Sequence, residues 1–504
     1  METKTRRGFL KTVGVGVASA AIVGIGSTLG CSSGEKTPQS TTGSSNSFDY
    51  DADVVVVGAG PSGIAAAVEA VNNGCEKVIL LEALSTIGGS AIYSEGIMAG
   101  VDTQIAKRNG VTASLDDCYN QVMEWSNYQL DGDLVKITTQ QCGKTIDWLI
   151  DELEIPFVDH AIAASNYGPL PIVHNVVDQG SGFAAPFEKA IASREAITLL
   201  LNTRAMRILT DENSTVCGIE ATEGNKDIRI SAKAVILSAG GAGGNPELLG
   251  RLIPLYQSVC PAGGPGASGD ATLLAGALGA AMGNPNLFRP MVHDYEAAWA
   301  GAKAYGARLD TVFTVGGSIL VNVKGERFAN DRPVMRMGGA GASFCADMNK
   351  HEVNYFWAIN DQAGLDATKF VRWNNADIIQ ADTLEDLATK IEVTPEALTA
   401  TVERWNNMVE AGKDEDFART SDLVKLQQPP YYAVKASVGA FIWFGGVLNN
   451  AKAEALDSTG SSIPGLYASG ECSCNASWAG WAISHAVTWG RIAAQNAAAF
   501  ASQK

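Results

Sequence analysis

The chain lacks a basic surplus. Its 37 lysines and arginines stand against 54 aspartates and glutamates, for a net charge of −17. Such a field repels nucleic-acid phosphates and anionic lipid heads, so neither is an expected partner. The nine cysteines include no CxxC pair and no CxxCH, and the second absence excludes an attached c-type haem. Cys472 and Cys474 form a CxC. A free thiol behaves as a small apolar group, so the pair reads as packing and no metal is expected. Beyond the N-terminus no apolar run is long enough to span a bilayer. What remains is a chain of 504 residues, 46% apolar, with 54 glycines: material for a large core and two domains.

The first residues read as an address. "METKTRRGFLKTVGVGVASAAIVGIGSTLGC" places Arg6 and Arg7 before Phe9, Leu10 and Lys11, and a Gly- and Ala-rich apolar run follows. This pattern is a twin-arginine export signal over residues 1–31, too Gly-rich for a stable spanning helix. Cys31 is a possible lipid-attachment site, although Thr28 stands where a branched aliphatic is usual. Residues 32–49, rich in Ser and Thr, are a flexible tether with nothing to bury. The expected location is the periplasm or the outer face of the cytoplasmic membrane. Twin-arginine export carries folded proteins, often with a cofactor already loaded.

A strong motif begins at Ala52: "ADVVVVGAGPSGIAAAVEAVNNGCEKVILLEA". Val54–Val57 is a continuous β-branched run, as in a strand buried on both faces. Gly58-Ala59-Gly60-Pro61-Ser62-Gly63 follows. Gly58 permits a tight turn, Gly60 lets a pyrophosphate approach the backbone, and Gly63 lets the helix lie close to the strand. The helix Ile64–Val71 stops at Asn72-Asn73-Gly74, and a second strand, Lys77–Leu81, ends at Glu82. That carboxylate falls about 20 residues after the glycines, where a ribose hydroxyl pair is bound. The full strand–turn–helix–strand–Glu context predicts a nucleotide-binding domain.

The following residues, "STIGGSAIYSEGIMAG", bring Gly88, Gly89 and Ser90 after Ala83. Here the sequence resembles the FAD-dependent fumarate reductase and 3-ketosteroid dehydrogenase superfamily, in which this loop passes along the flavin. Three further blocks carry the resemblance. "NTRAMRI" looks like the strand that meets the adenine near Ala205. "AVILSAGGAGGN" looks like the family's "ATGG" strand, with Ala239, Gly240 and Gly241, and "GASGDATLLA" after it places Asp270 near the ribityl chain. "GLYASGEC" looks like the family's "GLYAAGE", with Gly470 and Glu471 at the ribityl. The helix "AGWAISHAVTWGRIAAQNAA" is then expected to aim its N-terminus at the flavin's pyrimidine edge, with Ala482 and Ile483 as donors. His485, one turn inside, reads as satisfied core. The implied fold is α/β: a Rossmann-like FAD-binding domain over 50–285 and 441–504, with an α+β capping domain inserted over 286–440. The cofactor is non-covalent FAD. No appended FMN or haem domain is expected.

In the capping segment, Thr394 reads as an N-cap and Pro395 as a first-turn proline. Leu398, Val402, Trp405 and Val409 make one apolar stripe ended by Gly412. The resemblance implies hydride transfer to or from a C=C, with an arginine as proton donor. Within "LVNVKGERFANDRPVMRMG", Arg336 matches that donor best and Arg332 second, with Asp331 or Glu326 to resupply the proton. The bland alternative is that Arg327, Arg332 and Arg336 are solvated or paired charges. An arginine serves only with such a relay, since its own pKa lies above ~12.

Departures from the family matter as much. Ser477 stands where fumarate reductases keep a carboxylate-clamping arginine, and Phe441-Ile442-Trp443 where they keep a histidine. A bidentate arginine is how a protein holds a carboxylate. Its loss, with the gain of Trp443, Trp478 and Trp481, predicts a larger apolar or aromatic substrate instead of a small dicarboxylate, the alternative being that Trp478 and Trp481 are ordinary core. Tyr93, Tyr295 and Tyr305 are each able to polarise a carbonyl, and the sequence does not choose among them. The expected activity is reduction of an enone- or enoate-type C=C, fed by a quinol-linked cytochrome or flavoprotein. The alternatives are a ketosteroid-type dehydrogenase that introduces a C=C, and a non-catalytic flavin electron carrier.

Overall fold

The apolar run after Ala52 forms the strand Tyr50–Val57, at the centre of an eight-stranded sheet. This comes from a computed structural model, which describes residues 47–162, 168–284, 288–300, 317–331, 339–367, 377–474 and 480–504. Val54, Val55 and Val56 are wholly buried, as a strand covered on both faces requires. The order across the sheet is Glu454–Leu456, Ser462–Ala468, Lys226–Leu237, Tyr50–Val57, Val78–Leu81, Ile197–Leu200. From Ser462–Ala468 to Ile197–Leu200 every pairing is parallel. Thr203–Thr210 and Val216–Glu223 continue from Lys226–Leu237 as an antiparallel meander.

Register decides where a ligand can sit. Val57 is level with Leu81 and with Leu237, and Leu237 with Ala468. Four strands therefore end on one line, and the next residue on each is Gly58, Glu82, Ser238 and Ser469. In an open α/β sheet ligands bind at this carboxyl edge.

Two helices from opposite ends of the chain cover that edge. Pro61–Asn72 follows the Gly58 turn, with Gly60 as N-cap and Pro61 in the first turn. It ends at Asn73 and Gly74, the latter at φ +91°. Trp481–Ala501 lies across it. A Cβ at Gly490 would stand 2.2 Å from the Ser62 carbonyl oxygen, so this crossing requires glycine.

A second sheet is antiparallel throughout. It orders Phe288–Asp294, Tyr431–Trp443, Phe356–Asp361 and Ile319–Val321, with Ile379–Ala381 also on Tyr431–Trp443. The strand Tyr431–Trp443 runs through the expected 440/441 boundary, and Ser47–Lys504 is one compact unit. The helix Pro395–Glu410 buries Leu398, Val402, Trp405 and Met408, while Val409 is only part-buried. Both residues fall on the same face at a 3.6 period, and Met408, three after Trp405, takes the deeper place. Thr394 is the N-cap residue but makes no side-chain cap bond.

Beneath this helix lies a charge cluster. Arg327 bonds both carboxylate oxygens of Asp414 (3.1 and 2.9 Å), and Arg419 bonds Asp331 (3.1 Å). Both guanidinium carbons lie 4.7 Å from the centre of the Trp405 ring. Arg327 is thus paired, but its side chain is only 4% exposed: an internal brace, not a surface charge. Among the described residues no helix is long and apolar enough to cross a membrane.

Candidate active site

An elongated cleft opens along the line of strand ends. One end is built by Glu82, Ala83 and Leu84 with Thr203, Arg204 and Ala205. These strands are tied by the Thr203 N–H to Glu82 O bond (2.8 Å). The other end is built by Tyr93 to Glu95, Ile97, Ile442, Gly480, Ala482 and Ile483. Here the Ala99 N–H donates to Gly480 O at 2.8 Å, bringing the Ile97–Ala99 strand to the start of the C-terminal helix.

The glycines divide by task. Gly58 is at φ +100°, and a Cβ there would meet Ser238 O at 2.6 Å. A Cβ at Gly63 would strike Gly58 O at 1.8 Å, so Gly63 brings helix and turn together from outside the cleft lining. Gly88 (φ +99°) and Gly241 also stand behind the wall. The Gly88 N–H bonds Ala59 O at 2.8 Å, and a Cβ at Gly241 would meet Glu471 Oε1 at 2.5 Å. Gly60, Gly89, Gly240 and Gly470 line the cleft, as do Pro61, Ser62, Ser90, Ala239 and Glu471. Around Gly240 no atom comes within 4 Å of a Cβ position, and around Gly60 the nearest is 3.9 Å away. Backbone is bare there for a ligand to approach.

These residues fit FAD. Two helix N-termini, capped by Gly60 and Gly480 without side-chain bonds or first-turn acids, converge on one cleft. Such ends offer N–H donors and partial positive charge to a diphosphate and to an electron-rich ring edge. Glu82 stands at the far end, 8% exposed, accepting from the Ala59 and Leu84 N–H groups at 2.9 Å each. Those bonds fix its carboxylate beside the turn, where a ribose would lie.

Asp270 lines the cleft and accepts from Arg204 at 2.6 Å. Tyr295 is not among the residues that line the cleft. It opens the short helix Tyr295–Trp299 after the strand Phe288–Asp294, 5.2 Å from the Tyr355 ring, with Lys435 Nζ 4.9 Å from its ring centre. Trp443 and Trp481 are fully buried core residues and face no cleft. Apolar surface at that end comes from Ile97, Ile442 and Ile483 instead. His485 is core, 2% exposed, but neither ring nitrogen has a partner among the described residues. Burial pushes its pKa down to about 3, so it packs as a neutral ring 5.9 Å from Trp489. Asp331 is committed to Arg419, and Glu326 is exposed. Arg332, Arg336, Tyr305, Ser477 and Trp478 lie outside the described residues. Cys472 and Cys474 are buried thiols, pushed by burial up to about 12 and 11. Cys472 donates to Leu237 O and Ser469 O. Glu95, Ile97, Arg204 and Ser238 line the cleft without a sequence signal of their own.

Comparison with known proteins agrees with this geometry. A family model described as an FAD binding domain matches residues 53–482. The chain is 30% identical over 465 residues to a fumarate reductase (cytochrome) of Shewanella frigidimarina, covering 90% of this chain and 78% of that one. It is 28% identical over 449 residues to a vinyl phenol reductase of Lactiplantibacillus plantarum, covering 83% and 89%. A flavocytochrome c3 fumarate reductase in its open conformation aligns with a TM-score of 0.75 at 28% identity, over 90% of this chain and 79% of that one. The chain belongs to the FAD-binding family of the fumarate reductases. It is an FAD-dependent oxidoreductase acting on CH–CH groups.

Glu471 gives the site a pH signature. It is half-buried on the cleft wall, and its Oε1 accepts the Trp443 N–H at 3.1 Å. Burial pushes its pKa up to about 7, against that bond. Between about pH 4.5 and 7 the folded, FAD-free protein therefore holds a proton that the unfolded chain has released. Stability falls as pH rises through that window. Denaturant unfolding of the FAD-free protein should show Glu471→Gln gaining about 1–2 kcal/mol on wild type between pH 5 and pH 8. A pH-independent difference would refute the assignment.

Proposed function

We propose that the chain is an exported reductase of an activated C=C in an apolar or aromatic substrate of enone or enoate type, with FAD held non-covalently. One observation carries the substrate reading. Among the described residues that line the cleft the sole cation is Arg204, and Asp270 holds it at the Glu82 end. The other end offers isoleucines, the Tyr93 phenol and the Glu95 carboxyl group. Nothing described there can clamp two carboxylates, and Ser477 replaces the arginine that fumarate reductases use. A relative named for reducing vinyl phenol supports an aromatic acceptor.

Bound FAD supplies two electrons, delivered as a hydride. The chain's own residues supply the rest. Ile97, Ile442 and Ile483 exclude water from the acceptor carbon and favour an apolar substrate. The N-terminus of the C-terminal helix stabilises negative charge at the ring edge. Arg336, or Arg332 in its place, delivers the proton to the neighbouring carbon. Tyr93, of the three tyrosines weighed, is the one found on the cleft wall, where it donates a hydrogen bond to the substrate's carbonyl. Its backbone is firmly held: Ser94 Oγ donates to Ala91 O (2.7 Å) and accepts from the Gly96 N–H (3.0 Å), while the Gly180 N–H bonds Ser94 O (3.0 Å).

The test is anaerobic. Reduced holoenzyme is mixed with fumarate, cinnamates, urocanate, Δ4-steroids and unsaturated lactones, and flavin reoxidation is followed. Reoxidation by uncharged aromatic or cyclic acceptors, with fumarate slow, is the expected result. Tyr93→Phe should lower kcat/KM for a carbonyl acceptor by roughly 10- to 100-fold at unchanged FAD content, and Tyr295→Phe should not. Rapid fumarate turnover would sink the substrate reading. Reduction of the oxidised enzyme by saturated ketones, without reoxidation by enones, would establish the dehydrogenase instead.

Export and a quinol-linked cytochrome or flavoprotein donor are part of the same proposal, supported by Arg6, Arg7 and the Ser/Thr-rich tether. Cell fractionation should find the wild type in the envelope or periplasm and the Arg6→Lys, Arg7→Lys double variant in the cytoplasm. Wild-type protein confined to the cytoplasm would overturn it.

A further inference from the structure

We infer that Ser62, Ser469 and Ser238 form a directed chain of hydroxyls that presents one O–H to the diphosphate of bound FAD. Ser238 and Ser469 follow immediately on the strands Lys226–Leu237 and Ser462–Ala468, which pair in parallel. Ser62 sits in the first turn of the fingerprint helix above them. Ser62 Oγ donates to Ser469 Oγ at 2.9 Å, and Ser469 Oγ lies 2.8 Å from Ser238 Oγ. Ser469 is 0% exposed and lines no cleft, whereas Ser62 and Ser238 both do.

Proton accounting gives the chain its direction. The Ser469 hydroxyl already accepts from Ser62. If it accepted from Ser238 as well, its own proton would be buried without an acceptor, because no other bond to that oxygen is made among the described residues. An unmet buried donor is costly, so Ser469 donates to Ser238. The proton left over is that of Ser238, which lines the cleft. Each donor in such a chain polarises the next, which strengthens the last O–H. Its target follows from its neighbours. Ser238 O lies 2.6 Å from a Cβ position at Gly58, and Ser238 Cβ lies 3.4 Å from one at Gly63. The hydroxyl therefore stands against the turn that receives the diphosphate. The arrangement also departs from the family motifs. This chain has serine at the first position of "ATGG" and at the second alanine of "GLYAAGE", and these two serines bond each other.

The test is equilibrium binding to FAD-free protein, with FAD and with ADP as probes. Ser238→Ala should weaken both ligands by roughly 10-fold, the value of one hydrogen bond to a charged acceptor. Ser469→Ala should weaken them by roughly 3-fold, through Ser238 alone. The double variant should then bind no more weakly than Ser238→Ala. Alanine is the family residue at both positions, so the variants should fold, and unchanged thermal midpoints without ligand would establish that the losses belong to binding. Wild-type affinity in Ser238→Ala, single losses that multiply in the double variant, or a loss seen with FAD but not ADP would each overturn the chain as described.

Discussion

The site depends on the crossing of two helices that lie more than four hundred residues apart in sequence. At that crossing Gly490 rests on the carbonyl of Ser62, and Gly470 is packed against the Ser62 side chain. A methyl group at Gly490 would push the helices apart. With them would go the two N-termini that face the cleft, because each is continuous with its own helix. The N-terminal fingerprint alone is half of a binding site. The C-terminal helix supplies the other half, at the end where Tyr93, Ile97 and Ile442 also gather.

Parallel register turns this crossing into a dinucleotide cleft. Four strands stop level, so Gly58, Glu82, Ser238 and Ser469 lie side by side along one edge. A tight turn, a buried carboxylate and two linked hydroxyls therefore follow from one alignment. Electrostatics divides the cleft lengthwise. The described cation is tied to Asp270 at the Glu82 end, and the opposite end holds a helix N-terminus, the Tyr93 phenol and the Glu95 carboxyl group. Helix termini stabilise developing charge without demanding a charged substrate.

What the sequence revealed follows from the range of the interactions involved. The strand, turn, helix and Glu82 were legible because each rests on contacts within a few dozen residues. The blocks near Ala205, Gly240 and Gly470 were legible as family motifs. The tryptophans misled. Trp443 and Trp481 adjoin cleft residues in sequence, but strand alternation and the first helical turn aim them into core. The Arg204–Asp270 pair was not legible, because it joins a strand to a distant helix start and no spacing rule links them. The stripe of Pro395–Glu410 was read correctly apart from Met408. The charged pairs flanking Trp405 could not be foreseen, since Arg327 meets Asp414, and Asp331 meets Arg419, only through the fold.

The account rests most directly on how the flavin is held. The decisive measurement is the visible spectrum of the purified holoprotein before and after denaturation and filtration. A yellow protein that releases about one FAD per chain into the filtrate, leaving a colourless polypeptide, is the predicted result. Protein that stays colourless after incubation with FAD, or flavin that remains on the unfolded chain, would contradict it.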